Sequence, residues 1–409
     1  MGHNTILNIH HFGPIKEAQV TFNRFTIFVG PQGSGKSTIA KLYSMFLWLE
    51  KCLIRGTLTI KYVEQYSRFR KVYCGYHRLS SYFYDDTMIM FNGNSYRFVY
   101  SNSRLDIYHN QETPDTPTDV VKVMYVPAER NFLSSLDNLS GLKSLPPSLH
   151  TFKDEYVDAC KAYSSGFNVP IDNVRFDYDR LNEVSWLSGN GFRVRLSDAS
   201  SGFQAVLPLL LVTRYLTTLV SSRHEDSPSQ LNDAEREQLR KEVKTIVENP
   251  GLTSEVRSAA LAALSIKFTY SSFVNIVEEP EENLYPDSQK SVVFSLLGDA
   301  NFEDGNQLVL TTHSPYIINY LTLAIKGGEL RKHADGDKAI LNSLGKIVPL
   351  ESCIAAEDTS IYELSDGKAR LLPMPYGLPA DSNFLNLALG DTNNTFDRLL
   401  DIEEEINGR

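Results

Sequence analysis

Cysteine is scarce in this chain and nothing pairs it. Cys52, Cys74, Cys160 and Cys353 lie far apart, without a Cys-x-x-Cys step or zinc-ligand spacing near any of them. They read as reduced packing residues of a cytoplasmic protein, which sets aside a disulfide scaffold and a structural zinc site. Long apolar runs are missing too: no stretch approaches the ~20 residues of a membrane span. The opening Met-Gly-His-Asn-Thr has neither the basic nor the apolar region of a secretory signal. Sustained heptads and internal repeats are absent, which excludes a long coiled coil and a repeat array. A cytoplasmic location without a membrane partner is the expectation.

What is present describes an ordinary globular protein. The 409 residues can bury a large core, with 42% hydrophobic and 22% charged side chains. Forty basic against fifty acidic side chains leave a net charge of -10, so any nucleic-acid site must be a local basic patch.

The segment from Arg24 to Leu49 carries the densest information. An apolar strand (Phe25, Ile27, Phe28, Val29) runs into Gly30-Pro31-Gln32-Gly33-Ser34-Gly35-Lys36-Ser37-Thr38. A helix follows with Ile39, Leu42, Tyr43, Phe46 and Leu49 on one face. This is G-x-x-x-x-G-K-S in the strand-loop-helix setting that phosphate binding requires. Glycines let backbone N–H groups turn inward around a phosphate, and the helix N-terminus adds the positive end of its dipole. Lys36 then reaches the β- and γ-phosphates as a point charge, while the Ser37 hydroxyl completes a magnesium shell. No Asn-Lys-x-Asp step for reading guanine occurs in the chain, which disfavours a GTPase.

Upstream, Thr5 to His10 and Ala18 to Phe22 read as two short strands of the same nucleotide domain. Beyond Trp48, Thr57 to Val63 reads as a strand. The next segment interleaves rings with cations: Tyr66, Arg68, Phe69, Arg70, Lys71, Tyr73, Tyr76, His77 and Arg78. Such interleaving serves single-stranded nucleic acid, with the rings as stacking platforms. It equally describes an element whose rings face the core and whose charges face water. Thr87 to Phe91 and Tyr96 to Tyr100 flank the hairpin signal Asn92-Gly93-Asn94, and Leu105 to Tyr108 can add a third strand. Asn110 to Asp119 is a loop.

Val120 to Val126 is an apolar strand ending in Pro127-Ala128-Glu129-Arg130-Asn131. Arg130, just past a strand end beside the phosphate loop, can point at phosphates or hold a carboxylate; a surface pair with Glu129 is the alternative. Residues 152 to 163 are helical by pattern, and Asn173 to Trp186 reads as helical on a weaker pattern. Gly191 to Leu196 alternates as a strand into Ser200-Ser201-Gly202-Phe203-Gln204. A strongly apolar helix then spans roughly Gln204 to Val220, with Pro208 in its first turns, where proline is tolerated. Ser200, Ser201 and Gly202 at its start form either a second anion site or an ordinary serine N-cap. A polar linker from Ser221 to Asp233 leads to two helices, about Ala234 to Glu248 and Ser254 to Leu264.

The strand Ser272 to Val277 ends in Glu278-Glu279-Pro280-Glu281-Glu282. Two carboxylates at a strand end can divide the labour of hydrolysis: one holds the magnesium water shell, the other orients or deprotonates the attacking water. An apolar strand feeding directly into the cluster argues against a mere solvated turn. Gln307 to Thr312 is a further apolar strand, closing on His313-Ser314-Pro315. A histidine at a strand end is commonly structural when it stands alone, and this one does not. The remainder reads as short strands (Ala339 to Leu341, Ile347 to Leu350, Ile361 to Leu364, Ala369 to Leu372) and an acidic helix, Thr395 to Ile406. Asp335-Gly336-Asp337 reads as a polar turn rather than a metal site.

The order phosphate loop, Ser-Ser-Gly-x-Gln, strand-Glu-Glu-Pro, strand-Thr-His-Ser-Pro is similar to that of the ABC-type ATPases. Within them it resembles the soluble branch of SMC, RecF-like and overcoming-lysogenization-defect (OLD) proteins. Val126 to Asn131, Ser200 to Gly202 with Gln204, and Glu278 to Glu281 further resemble the stand-alone, OLD-like AAA-family ATPases of bacterial antiphage systems, among them the ATPase of the PARIS system. The resemblance spans about Ile6 to Asn319. It implies an α/β fold: an ABC-type ATPase head with a P-loop mixed sheet, an antiparallel β subdomain and a helical lobe. The head, 1–409, would divide into a P-loop core (1–48), an inserted arm and β-hairpin subdomain (49–120), and a strand with helical lobe (121–198). A signature helix with helical insertion (199–265), a carboxylate and switch-histidine core (266–320) and a C-terminal β-rich completion with acidic helix (321–409) would follow.

The resemblance also implies roles. ATP is the nucleotide and Mg2+ its metal, with Gly30 to Thr38 as Walker A motif. Ser200 to Gln204 is the signature, Ser201 and Gly202 touching the γ-phosphate held by a second subunit. Glu278 is the magnesium-associated carboxylate, Glu279 the catalytic glutamate and His313 the switch histidine at the γ-phosphate. Arg130 stands where the usual Q-loop glutamine is missing. Phe203 replaces the second signature glycine, and Glu278 replaces the usual aspartate, lengthening that arm by one methylene. Two half-sites per chain imply an isologous homodimer of heads or a higher oligomer. The implied biology is ATP hydrolysis to ADP and phosphate by the sensor of an antiphage system, controlling a separate effector, a nuclease or toxin, in trans. The alternative is an SMC- or RecF-like DNA-maintenance ATPase binding DNA directly, with Arg68, Arg70, Lys71 and Arg78 as its footprint. Membrane transport is disfavoured, since no coupling surface can be read.

Overall fold

Alternation of apolar side chains decides the first two strands, Thr5–Phe12 (β1) and Ile15–Phe22 (β2), which pair antiparallel and bury Leu7, Ile9, Val20 and Phe22 on one face. The computed structural model describes residues 5–110, 120–136, 139, 141–142, 144–222 and 231–407. The next strand, Phe25–Val29 (β3), is buried along its whole length. Phe83–Asn92 (β4), Tyr96–Ser101 (β5) and Arg104–His109 (β6) form the expected meander, and Val121–Val126 (β7) follows. Phe167–Asn168 (β8), Arg175–Asp179 (β9), Val184–Gly189 (β10) and Phe192–Arg195 (β11) make a separate antiparallel sheet in the order β11-β10-β9-β8. Ser272–Glu278 (β12), Gln307–Thr312 (β13), Thr359–Ser365 (β14) and Lys368–Leu371 (β15) complete the set.

Eleven strands form one mixed sheet in the order β6-β5-β4-β1-β2-β15-β14-β3-β13-β12-β7. The run β14-β3-β13-β12-β7 is parallel throughout. These strands read as continuous apolar segments because both of their faces are covered. One face carries Ile27, Leu310 and Val277 beneath the helices Pro147–Ala162, Ser201–Ser221, Pro286–Ala300 and Pro315–His333. The other carries Phe28, Val309, Ile276 and Tyr125 beneath the helix Lys36–Ile54 and the arm. All four cysteines are free and buried. The helix Ser201–Ser221 is long and apolar enough to cross a membrane by length and composition, and it is mostly buried in the core.

Several local expectations are corrected. Thr57 to Val63 is no strand: Thr59 caps the short helix Ile60–Val63 by accepting from Tyr62 N. Asn173 to Trp186 contributes β9 and the start of β10. Pro208 lies inside its helix, because that helix begins at Ser201 and not at Gln204. Ala339 to Leu341 belongs to the helix Lys338–Gly345, whose first N–H groups bond to Asp337, so the Asp335-Gly336-Asp337 turn is a cap. Ile347 to Leu350 leads into a short 3-10 turn, and the C-terminal helix is longer than the acidic stretch, Phe384–Asn407. The loop at 111–119 and most of the linker (223–230) lie outside the described residues.

The two helices that clamp the sheet edge share an ion pair. Arg214 Nε donates to Asp299 Oδ1 at 2.5 Å, and Asp299 is 2% exposed. Burial pushes this carboxyl up to about 6, against the pull of Arg214, from an ordinary value of 3.8. The folded state therefore holds the proton more tightly, and this contribution to stability is present below the unfolded value and lost as pH rises through about 6. Its size is roughly 3 kcal/mol. The stability difference between wild type and Asp299→Asn, followed by urea denaturation, is expected to shift against the wild type by about that amount from pH 4 upward to neutrality. A difference that stays flat with pH would contradict the assignment.

Candidate functional site

The parallel strands deliver their motifs to one edge. Val29 at the end of β3 is in register with Thr312 at the end of β13, and Thr311 with Glu278 at the end of β12. Gly30, Glu278, Glu279 and His313 therefore emerge side by side at carboxyl ends of adjacent strands, the place where open α/β sheets bind ligands.

The phosphate loop is held by close backbone approach. Gly30 adopts φ +148°, and a Cβ there would lie 2.2 Å from the carbonyl oxygen of Leu364 on β14. Gly35, at φ +103°, packs against the Ile15 side chain, where a Cβ would lie 2.7 Å from its Cγ1, and opens the helix Lys36–Ile54. Lys36 Nζ donates to the carbonyls of Gly30 at 2.8 Å and Pro31 at 3.0 Å, and stands 3.4 Å from His313 Nδ1. Burial pushes the ammonium down to about 8, against the pull of Glu279, Glu281 and Glu278. A lysine ammonium has no lone pair, so His313 Nδ1 is the acceptor and Nε2 carries the proton toward Glu279 Oε1, 3.2 Å away.

Glu279 sits at φ +44°, a left-handed conformation costing a non-glycine residue about 1–2 kcal/mol. Three bonds hold it there: its N–H donates to Thr311 O at 2.9 Å, and its carbonyl accepts from Arg130 at 2.7 Å and from Glu282 N–H at 3.1 Å. Glu278 is buried and its Oε1 has no hydrogen-bond partner. An orphaned carboxylate oxygen whose charge acts on the phosphate-loop lysine fits a magnesium ion, which takes one or two carboxylates and leaves its other positions to phosphate and water. In front of these groups lies an open cleft of about 750 Å³, bordered by Gln32, Glu129, Asn131, Phe132, Glu279 and Glu282.

Of the readings offered for Arg130, the structure favours the carboxylate holder: the side chain is fully buried, which sets aside the surface pair with Glu129, and it is turned to Glu282 and to main-chain carbonyls. Its guanidinium donates to the carbonyls of Ala205 (3.0 Å), Pro127 (3.2 Å), Glu278 (2.6 Å) and Glu279 (2.7 Å), and its remaining face turns to Glu282 at 3.8 Å. It thereby ties the ends of β7 and β12 to the helix Ser201–Ser221. The start of that helix packs on the turn after Glu279: a Cβ on Gly202 would lie 2.9 Å from Asn283 O. Ser200 occupies the N-cap position, yet its side chain makes no capping bond. Gln204 Nε2 binds the carbonyls of Ser197 and Leu196, which fixes the loop before the helix.

Glu281 escaped the sequence reading. Its Oε1 accepts from Thr312 Oγ1, His313 N and Ser314 N, and Ser314 Oγ donates to Gln289, so one carboxylate shapes the turn that carries His313. Its place inside a run of glutamates was the only available sign.

The aromatic and basic arm is also settled by burial. Phe69 and Tyr73 point into the core from a π-helical turn, Phe69–Tyr73, while Arg68 lies over the Tyr62 ring at 3.7 Å and Arg70 donates to Ser80 O. Phe69 and Tyr73 are packing residues, not stacking platforms, whereas Tyr66 is 89% exposed.

Residues 258–319 match the family described as "AAA domain, putative AbiEii toxin, Type IV TA system". That segment contains Glu278, Glu279, Glu281 and His313. No curated protein matches the chain. Similar solved structures include the SMC head domain from Thermotoga maritima, at 13% identity and TM-score 0.36 over 91% of this chain and 99% of that one. The recombination mediator RecF follows at 10% identity and TM-score 0.31, over 91% and 99%. A dimeric ATP-binding cassette bound to ADP and Pi gives 12% identity and TM-score 0.30, over 89% and 97%.

Proposed function

We propose that the chain is an ABC-type ATPase that binds ATP and Mg2+ at Gly30–Thr38 and hydrolyses ATP to ADP and phosphate. The observation that carries this reading is the delivery of the phosphate loop, the orphaned Glu278 carboxylate and the Glu279–His313 pair to neighbouring strand ends. Gly30, Pro31, Gln32, Gly33, Ser34, Gly35, Lys36, Ser37 and Thr38 would cradle the phosphates, with Ser37 and Glu278 on the metal. The metal neutralises charge on the phosphates when bound. Glu279 would accept a proton from the attacking water, and His313, holding its Nε2 proton toward Glu279, would fix that carboxylate's orientation.

Ser200, Ser201, Gly202 and Gln204 would complete the site of a second head, so ATP would be held between subunits of a homodimer or larger ring. The absence of a capping bond from the exposed Ser200 at the start of the Ser201 helix supports this half of the reading. The family description over 258–319 supports a toxin-linked regulatory role: a sensor in an antiphage system that controls a separate effector. Direct DNA binding is the second reading: Phe69 and Tyr73 are turned inward, which leaves Tyr66, 89% exposed, as the arm's outward ring beside its cations.

The test is the mass of the purified protein in solution with and without ATP and magnesium, compared with Lys36→Ala. Assembly that depends on nucleotide in the wild type and fails in Lys36→Ala is the expected result. A mass indifferent to nucleotide, with no ATP bound, would refute the composite site.

A further inference from the structure

On the sheet face that carries Glu278, the arm closes over a cavity of about 370 Å³, within the size range of small-molecule sites. It lies beside Ser44 and Trp48 of the helix that Lys36 opens, hence roughly 12–18 Å along that helix from the phosphate loop. Tyr73, His77 and Tyr125 form its inner wall. Trp48 (41% exposed) and Val72 (51% exposed) stand at its mouth, across which Tyr76 Oη donates to Thr151 Oγ1 at 2.7 Å.

One polar side chain of the wall is unpartnered: His77 is 4% exposed and its Nδ1 is buried without a hydrogen bond, whereas Tyr125 Oη is turned toward the Glu278 carboxylate. The rings of His77 and Tyr125 meet edge to face at 5.1 Å, so both belong to one wall. Leaving the imidazole unsatisfied costs free energy that a guest can recover. The lining fixes the guest's charge. It contains no acidic or basic side chain except His77, and burial pushes that imidazole down to about 3, with Lys41 acting in the same direction. A charged guest would find no counter-charge. Flat aromatic walls select a flat guest.

We propose that this cavity binds a small, uncharged, planar heteroaromatic molecule whose ring N–H donates to the His77 imidazole. Tyr125 carries the news of occupancy: it pairs in register with Ile276, shares the strand face of Glu278, and feels that carboxylate's charge. Occupancy therefore reaches the proposed magnesium carboxylate; this second half rests on the ATPase reading, while the site itself does not.

Indole is the probe, titrated calorimetrically into the full chain. Saturable one-to-one binding is expected, weaker by about tenfold in His77→Phe, which keeps a ring and removes the acceptor. Binding is lost in Thr151→Trp, which fills the mouth from an exposed helix position and so spares the fold. Lys36→Ala binds indole like the wild type, which separates this site from the fate of the ATPase reading. No saturable heat up to the solubility of indole, or equal affinity in all variants, overturns the site. Where hydrolysis is measurable, indole is expected to change its rate in the wild type and not in Thr151→Trp; binding without any change overturns the relay.

Discussion

Replacing Glu279 by glutamine is expected to slow ATP hydrolysis by about 10²–10⁴-fold, the usual share of a positioned general base, while nucleotide binding persists. The amide keeps the shape of the side chain and its place 3.2 Å from His313, but it cannot take a proton. The Gly30–Thr38 cradle and Glu278 are untouched by the change. Phosphate release should therefore fall while retained ATP and ATP-dependent assembly rise or hold. Unchanged turnover in Glu279→Gln would show that another group activates the water.

The second large effect is structural. Arg130→Ala is expected to cost about 3–5 kcal/mol, as removal of one partner from a buried charged network does. Four main-chain carbonyls, those of Pro127, Ala205, Glu278 and Glu279, each lose the guanidinium as a donor around a fully buried side chain. Glu282 loses its cation as well, and burial already holds its carboxyl above the ordinary range. Lysine should rescue only part of the loss, because an ammonium cannot copy the planar fork that reaches two strand ends and a helix at once. Denaturant midpoints of wild type, Arg130→Ala and Arg130→Lys decide the matter: a loss below about 1 kcal/mol, the worth of one ordinary hydrogen bond, would mean that the network is ornamental.

The legibility of this chain follows the physics of its segments. Strands buried on both faces, such as β3, β12 and β13, announced themselves as apolar runs, and the residues at their ends were legible as a group because motif spacing survives without tertiary information. Short elements were not. Ile60–Val63 and Lys338–Gly345 are too brief for a helical period to outweigh local β-branched and apolar content, and their caps at Thr59 and Asp337 were the better guide. Arg130 was legible only in part, for a different reason. Charge predicts exposure, and only the packed structure reveals that the carbonyls it serves come from segments separated by 75 and 148 residues. His77 and Tyr125 were invisible as a pair on similar grounds, since an edge strand and an inserted arm had to meet first.

The left-handed backbone at Glu279 places this protein under a lasting tension between durability and chemistry. Glycine is the one residue that would sit there without strain, so the substitution that most relaxes the backbone is also one that deletes the carboxylate. On the proposed role of Glu279 in hydrolysis, random drift at this codon toward a hardier molecule is drift toward a silent one, and selection for that role would hold the position where it is.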